Sequence, residues 1–136
     1  GEVADHIAAL LTLALGPEPH GSVGSRHLRE RLMRTVRSGL SDPDLAPAAV
    51  AAAHHVSLRT LHYAFAAAGT TFIRELMQAR LQRARELLAD PRMRDVPVIE
   101  VAARCGFTDP SHFARRFRRR FGIAPLAFRR AAGAGH

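Results

Sequence analysis

The chain has 136 residues, 47% of them apolar, which suffices for one compact domain or one domain with a short additional element. Its 20 basic residues, all of them arginine, exceed the 12 acidic residues, and the resulting formal charge of +8 favours a polyanionic partner. The single cysteine, Cys105, excludes an intramolecular disulfide, and no apolar run approaches the roughly 18 residues that a membrane-spanning helix needs.

Two helices are predicted in the first forty residues. An apolar stripe indicates a short helix over Val3–Leu15, and the Pro- and Gly-rich segment Gly16–Ser22 is expected to interrupt it. A second helix is predicted over Ser25–Leu40, again with an apolar side. Because the chain begins with Gly rather than Met, we expect it to be part of a longer protein.

Beyond Leu45 the pattern changes to short helices separated by tight turns. Ser57 and Asp109 are each placed to cap a helix, and the Ala- and Gly-rich tail at residues 133–136 is expected to fray. The predicted helices run from Pro47 to about His54, from Leu58 to about Ala67, from Phe72 for about 18 residues, from Pro97 or Val98 to Gly106, from Pro110 to about Gly122 and from Pro125 to about Arg130.

Two stretches about fifty residues apart repeat the same order of residue types. Each has a small-residue helix, a turn with one apolar residue, and a second helix with two apolar anchors four residues apart. The matching pairs are Val50 with Val101, Val56 with Phe107, Leu61 with Phe113, Phe65 with Phe117 and Gly69 with Gly122. This order is typical of a helix-turn-helix, whose second helix enters the major groove of DNA. His55 stands where the second copy has Gly106, so we expect the first turn to differ slightly in geometry.

The segment Ile99–Pro125 resembles the DNA-binding domain of AraC/XylS-family transcription regulators, with its alanine-containing helix, Gly-Phe, capped turn, basic run and Gly-x-x-Pro. The resemblance extends over about Ser25–Arg130. The upstream residues that fit are Ser57, Leu61, Phe65, Gly69, Phe72, Arg80, Leu81, Ala84 and Leu88.

The resemblance implies an all-α fold of seven helices with two homeodomain-like helix-turn-helix subdomains joined by a long central helix, preceded by a short N-terminal helix. The DNA-binding domain is then expected at residues 23–132, with helix-turn-helix units at about 45–69 and 97–122 and the central helix at about 71–89. A helix of that length spans roughly 27 Å, which favours two recognition helices about one duplex turn (~34 Å) apart. Residues 1–22 are expected to be the remnant of an upstream effector or dimerisation domain.

The resemblance also assigns the residues that contact DNA. Pro110 and Ala114 match contact positions as well but offer only apolar contact. Base contacts are implied for Arg59, His62 and Tyr63 in the first unit and for Ser111, His112 and Arg115 in the second. Phosphate contacts are implied for Ser57, Thr108, Arg80, Arg116, Arg118, Arg119 and Arg120. Arg80 alternatively packs between the subdomains.

The expected partner is double-stranded promoter DNA, and the resemblance adds RNA polymerase and homodimerisation through an upstream domain. We expect a cytoplasmic transcription regulator, an activator, that associates with the nucleoid and needs no cofactor or metal. An enzyme is disfavoured because His54 and His55 are adjacent and no glycine-rich phosphate loop exists. A basic helical dimerisation or adaptor module is the alternative, supported by the apolar face predicted near the N-terminus.

Overall fold

A computed structural model describes the backbone of residues 18–134 and the side chains of residues 24–134. The described chain contains seven α-helices and one short 3-10 helix, with no strand, so the predicted all-α class is confirmed. The predicted helix over Val3–Leu15 lies outside the described residues. The helices are α1 (Glu18–Gly39), α2 (Pro47–Ala53), α3 (Leu58–Ala66), α4 (Phe72–Ala89), α5 (Val98–Arg104), α6 (Pro110–Phe121) and α7 (Pro125–Ala134), with the 3-10 helix at Pro91–Met93.

Helix α1 begins earlier than the sequence pattern predicts. The breaker segment expected at Gly16–Ser22 is wrong from Glu18 onward, because α1 includes Pro19 and Gly21. Pro19 falls in the first helical turn, where a backbone N–H has no helical partner and proline therefore costs little. Glycine inside a helix costs only about 1 kcal/mol, which the burial of one helical face further along can offset.

The described chain divides into two compact units. The first unit contains α1 to Gly39 and the segment Leu45–Leu76, which carries α2, α3 and the start of α4. Its core is formed by side chains that are almost fully buried, with the rings of Phe65 and Phe72 edge to face at 5.9 Å. Helix α1 packs against α2 and α3 through Leu28, Leu32 and Val36.

The second unit contains the short segment Leu40–Asp44 and the chain from Met77 onward. Its core is a run of aromatic contacts. Phe107 lies 4.9 Å from Phe113, and Phe117 lies 5.7 Å from Phe128, measured between ring centroids. Offset and tilted aromatic pairs of this kind stabilise a core beyond the area that they bury.

Helix α7 extends beyond its predicted end near Arg130 and reaches Ala134. Two features explain the extension. The segment is rich in alanine, the best helix former, and Arg129 anchors the helix by donating to the carbonyl of Val96 at 2.6 Å. Residues 135–136 lie outside the described part.

Across the described residues, no helix combines the length and the apolar character needed to cross a membrane.

Candidate nucleic-acid interface

The two repeated segments turn with the same backbone hydrogen bonds. In the first, the amide of His55 donates to Ala52 at 3.1 Å and that of Val56 donates to Ala51 at 3.1 Å. In the second, the amides of Gly106 and Phe107 donate to the equivalent alanine carbonyls, both at 3.0 Å. This pair of bonds ends a helix and reverses the chain through one residue with left-handed backbone.

The left-handed residue is His55 in one turn and Gly106 in the other, with φ of +56° and +89°. Both residues are left-handed, and φ differs by 33° (89 − 56) between them, so the first turn differs slightly in geometry, as predicted. Histidine tolerates the left-handed region better than most residues, and His55 is exposed, so its side chain meets no obstruction.

A capped helix follows each turn, as predicted. The Ser57 hydroxyl accepts from the amide of Thr60 at 3.0 Å, and the Asp109 carboxylate accepts from Ser111 at 2.9 Å and from His112 at 3.3 Å. The second turn is one residue longer because Thr108 precedes the cap. These caps satisfy amide groups that a helix start leaves unpaired.

Helix α3 has a buried and an outward side. Leu61 and Phe65 are fully buried, which confirms them as core anchors. Arg59, His62 and Tyr63 are all exposed, and their spacing of three and four residues places them on one outward side. The structure thus brings together the three side chains predicted to contact bases in this unit.

Helix α6 repeats this arrangement around the buried anchors Phe113 and Phe117. Ser111 and Arg115 are exposed, whereas His112 is half-buried, with its ring 6.5 Å from that of Phe107. The Nε2 atom of His112 accepts from the Nε–H of Arg116 at 3.1 Å. Because Nε2 is the acceptor, the neutral ring carries its proton on Nδ1, which leaves one donor for a partner.

The end of α6 is strongly basic. Arg118, Arg119 and Arg120 are exposed, and none of the three belongs to an ion pair found among the described side chains. Arg120 also lies over the ring of Phe121, 5.3 Å from its centroid. Guanidinium groups that lack carboxylate partners are available to the phosphates of a nucleic acid.

Arg80 does not belong to this surface, and the predicted phosphate contact is wrong for it. Its side chain is buried in the second unit, where Nε donates to the carbonyl of Leu40 at 3.0 Å and Nη2 donates to that of Asp42 at 2.7 Å. Burial lowers the pKa of the Arg80 guanidinium, and the nearby Asp42 charge partly opposes that shift. Carbonyl oxygens take the place that phosphate oxygens were expected to occupy.

Two further predicted phosphate contacts differ in availability. The Ser57 hydroxyl is half-buried, and it also donates to Oγ1 of Thr60 at 2.9 Å, so the cap uses both of its hydrogen-bonding roles. Thr108 is exposed just before the α6 cap. The phosphate contacts of Ser57 and Thr108 remain predictions.

The sequence reasoning missed one group of arginines in the first unit. They lie on α1 and are Arg26, Arg31, Arg34 and Arg37, all exposed. Helical periodicity could have found them, because they alternate with the buried Leu28, Leu32 and Val36.

Cys105 is fully buried at the end of α5, as predicted for a small core residue. Burial raises the pKa of its thiol to about 11. The thiol therefore stays protonated at neutral pH and takes no part in this interface.

Comparison with known proteins agrees with this geometry. A family model described as a helix-turn-helix domain matches residues 50–131. The transcriptional activator NphR of Rhodococcus sp is 42% identical over 100 residues, covering 74% of this chain and 29% of NphR. The activator RhaS of Klebsiella pneumoniae is 43% identical over 86 residues, covering 62% of this chain and 30% of RhaS. The chain thus spans less than a third of these curated relatives.

Solved structures give the same result. A transcriptional regulator from Chromobacterium violaceum, titled as containing an AraC-type DNA-binding domain, matches with a TM-score of 0.72 and 26% identity, over 81% of this chain and 96% of that one. A DNA-binding transcriptional dual regulator of Escherichia coli K-12 matches in fold with a TM-score of 0.71 and 22% identity, over 78% of this chain and 92% of that one.

Proposed function

The chain is a C-terminal DNA-binding domain of the AraC/XylS family, a family of transcription regulators rather than enzymes, and from this premise we propose that both of its helix-turn-helix units contact bases in adjacent major-groove segments of one duplex. The observation that carries the proposal is the repeated turn. The same two backbone hydrogen bonds and a helix cap precede both α3 and α6, and each of these helices has two buried apolar anchors and an exposed polar side. An exposed polar side on the second helix is what base contact in the major groove requires.

In the first unit, Arg59 donates two parallel hydrogen bonds to the O6 and N7 atoms of guanine. His62 contacts a base edge through a ring nitrogen. Tyr63, which is 40% exposed, contacts a thymine methyl group or a phosphate.

In the second unit, Arg115 is the main base-contacting side chain, with Ser111 beside it. His112 contributes only its Nδ1–H, because Nε2 is bonded to Arg116. This unit therefore offers fewer groups to base edges than the first. It compensates with phosphate contacts from Arg118, Arg119 and Arg120, aided by Thr108, whereas Arg116 serves mainly to orient His112.

The whole protein is proposed to activate transcription in the cytoplasm while bound to the nucleoid, because the relatives NphR and RhaS are named as activators. The same proposal includes contact with RNA polymerase. It also includes homodimerisation through an upstream domain, of which residues 1–22 are the remnant. The sequence from residue 23 to 132 is then the DNA-binding part.

In vitro selection of duplex sites by the purified chain tests the proposal. We expect an asymmetric site with two blocks of preferred bases separated by about one helical turn, ~10 base pairs. The same selection with Arg59→Ala should lose the preference in one block, and with Arg115→Ala in the other. Recovery of a single block that only Arg59→Ala affects would restrict base contact to the first unit.

A further inference from the structure

Helix α1 has a basic outer face, and none of its residues is among the proposed base or phosphate contacts. Its inner face is buried through Leu28, Leu32 and Val36. The exposed arginines Arg26, Arg31, Arg34 and Arg37 occupy the other sides of the helix. We call these four residues the α1 arginine face, and from Arg26 to Arg37 it extends for about 17 Å at 1.5 Å per residue.

Among the described side chains, none of the four guanidinium groups of the α1 arginine face is paired with a carboxylate. Glu30 is exposed on the same helix, yet no ion pair joins it to any of these arginines among the described side chains. The ion pairs present there, by contrast, join Arg83, Arg92 and Arg104 to nearby carboxylates in the second unit. The first unit thus presents four guanidinium groups together on one helix.

The α1 arginine face lies on a different helix from the side chains that α3 offers to a duplex. Helix α1 packs against α3 within the first unit, and each helix uses its buried side for that contact. The arginines of the α1 arginine face and Arg59 each lie on the side of their own helix opposite its buried residues.

We propose that the α1 arginine face binds an acidic surface of a protein partner while the recognition helices hold DNA. Charge complementarity determines the class of partner: arginine forks match carboxylate pairs in geometry as well as in sign. A protein surface is favoured over a second duplex because acidic patches on proteins are local, whereas a second duplex would bring two strongly repelling polyanions together on a unit of this size. The Debye length at physiological salt is about 8 Å, so DNA held farther than this from the partner repels it only weakly.

The experiment measures binding of a fluorescein-labelled poly-glutamate peptide to the full chain, free and saturated with a duplex, by fluorescence anisotropy. The test variant is Arg31→Gln/Arg34→Gln, because glutamine removes the charges at little cost in helix propensity. The charge-matched control is Arg94→Gln/Arg130→Gln, two exposed arginines of the second unit. Arg31→Lys/Arg34→Lys keeps the charge and tests whether the effect follows it.

We expect the peptide to bind the DNA-saturated chain and Arg31→Gln/Arg34→Gln to weaken that binding by about fivefold or more, with duplex affinity within twofold of the original. The control pair should leave peptide affinity within twofold, and the lysine pair should restore most of it. Should circular dichroism show lost helix in the test variant, Arg26→Gln/Arg37→Gln replaces it with the same expectation.

Three results would overturn the proposal. Duplex DNA could displace the peptide, which would place both polyanions on one surface. The test and control pairs could weaken peptide binding equally, which would show that the peptide responds only to the net charge of the chain. The test pair could weaken duplex binding as much as peptide binding, which would make α1 a DNA contact.

Discussion

The turns of the two helix-turn-helix units have the same backbone hydrogen bonds and one left-handed residue each, but they differ in their surroundings. His55 occupies the left-handed position of the first turn and is exposed. Gly106 occupies the same position in the second and is buried. A Cβ atom added to Gly106 would lie 2.3 Å from the carbonyl oxygen of Leu40 and 2.6 Å from Nε of Arg80.

The comparison separates two reasons for glycine in such a turn. Left-handed backbone by itself costs an ordinary residue roughly 1–2 kcal/mol, which the first turn accepts at His55. Close approach of another backbone leaves no room for any side chain, and only the second turn has it. The glycine of the second unit is required by packing more than by conformation.

The largest effect is therefore expected for Gly106→Ala. The substitution adds a clash with the Leu40 carbonyl to the conformational strain and should lower the free energy of unfolding of the second unit by about 3 kcal/mol or more. Urea denaturation followed by circular dichroism measures it. Gly69→Ala is the matched control, because Gly69 has φ of +74° with nothing near its missing Cβ. It should cost only about 1 kcal/mol, and equal losses for the two variants would remove the packing argument.

Replacing Arg80 with methionine tests the other side of the same contact. Arg80→Met keeps much of the packing but leaves the carbonyls of Leu40 and Asp42 without their donor, so we expect a loss of about 2 kcal/mol in the free energy of unfolding. Arg83→Met is the control, since Arg83 is exposed in an ion pair with Glu86 and should cost less than about 1 kcal/mol. A stable Arg80→Met protein with weakened DNA binding would instead restore the phosphate role.

Removing a helix cap should lower the free energy of unfolding by a smaller amount, and the loss should differ between the two units. Asp109→Ala removes an acceptor of two amide hydrogen bonds and a negative charge at the start of α6, with an expected cost of about 1–2 kcal/mol. Ser57→Ala removes an acceptor of one amide bond, at about 1 kcal/mol. Thermal unfolding of both variants measures the difference, and Asp109→Asn should recover most of the loss if capping rather than charge dominates.

His55→Gly should have the smallest effect. The substitution relieves the left-handed strain but gives the unfolded chain more freedom, and the two contributions leave a net change within about 1 kcal/mol. A loss well beyond that, measured by urea denaturation, would show that the His55 side chain stabilises the first turn by a contact of its own.

The sequence predicted best those features that depend on local chemistry. The caps at Ser57 and Asp109, the anchors Phe65 and Phe117 and the central helix from Phe72 follow from neighbouring residue types, because capping and helical periodicity act over a few residues. The side of α3 that carries Arg59 followed in the same way from its spacing relative to Leu61.

Features that depend on tertiary contacts could not be predicted. An arginine on an amphipathic helix has the same pattern whether it meets phosphate or a buried carbonyl, so the sequence left both the phosphate contact and the packed position open for Arg80. The bond between His112 and Arg116 likewise depends on which groups the fold brings near. The same holds for the α1 arginine face, which forms no ion pair with the side chains that the structure describes. The early start of α1 at Glu18 shows that a proline in a first turn does not interrupt a helix.

The central claim is that Arg59 and Arg115 contact bases whereas Arg119 contacts phosphate, and affinity measured over a salt series tests it most directly. On the selected duplex, Arg59→Ala and Arg115→Ala should each cost roughly 1–3 kcal/mol, with little loss on random DNA. Arg119→Ala should weaken both duplexes alike and lower the salt slope by about one unit. Equal losses on selected and random DNA for all three variants would contradict the assignment of base contacts to both units.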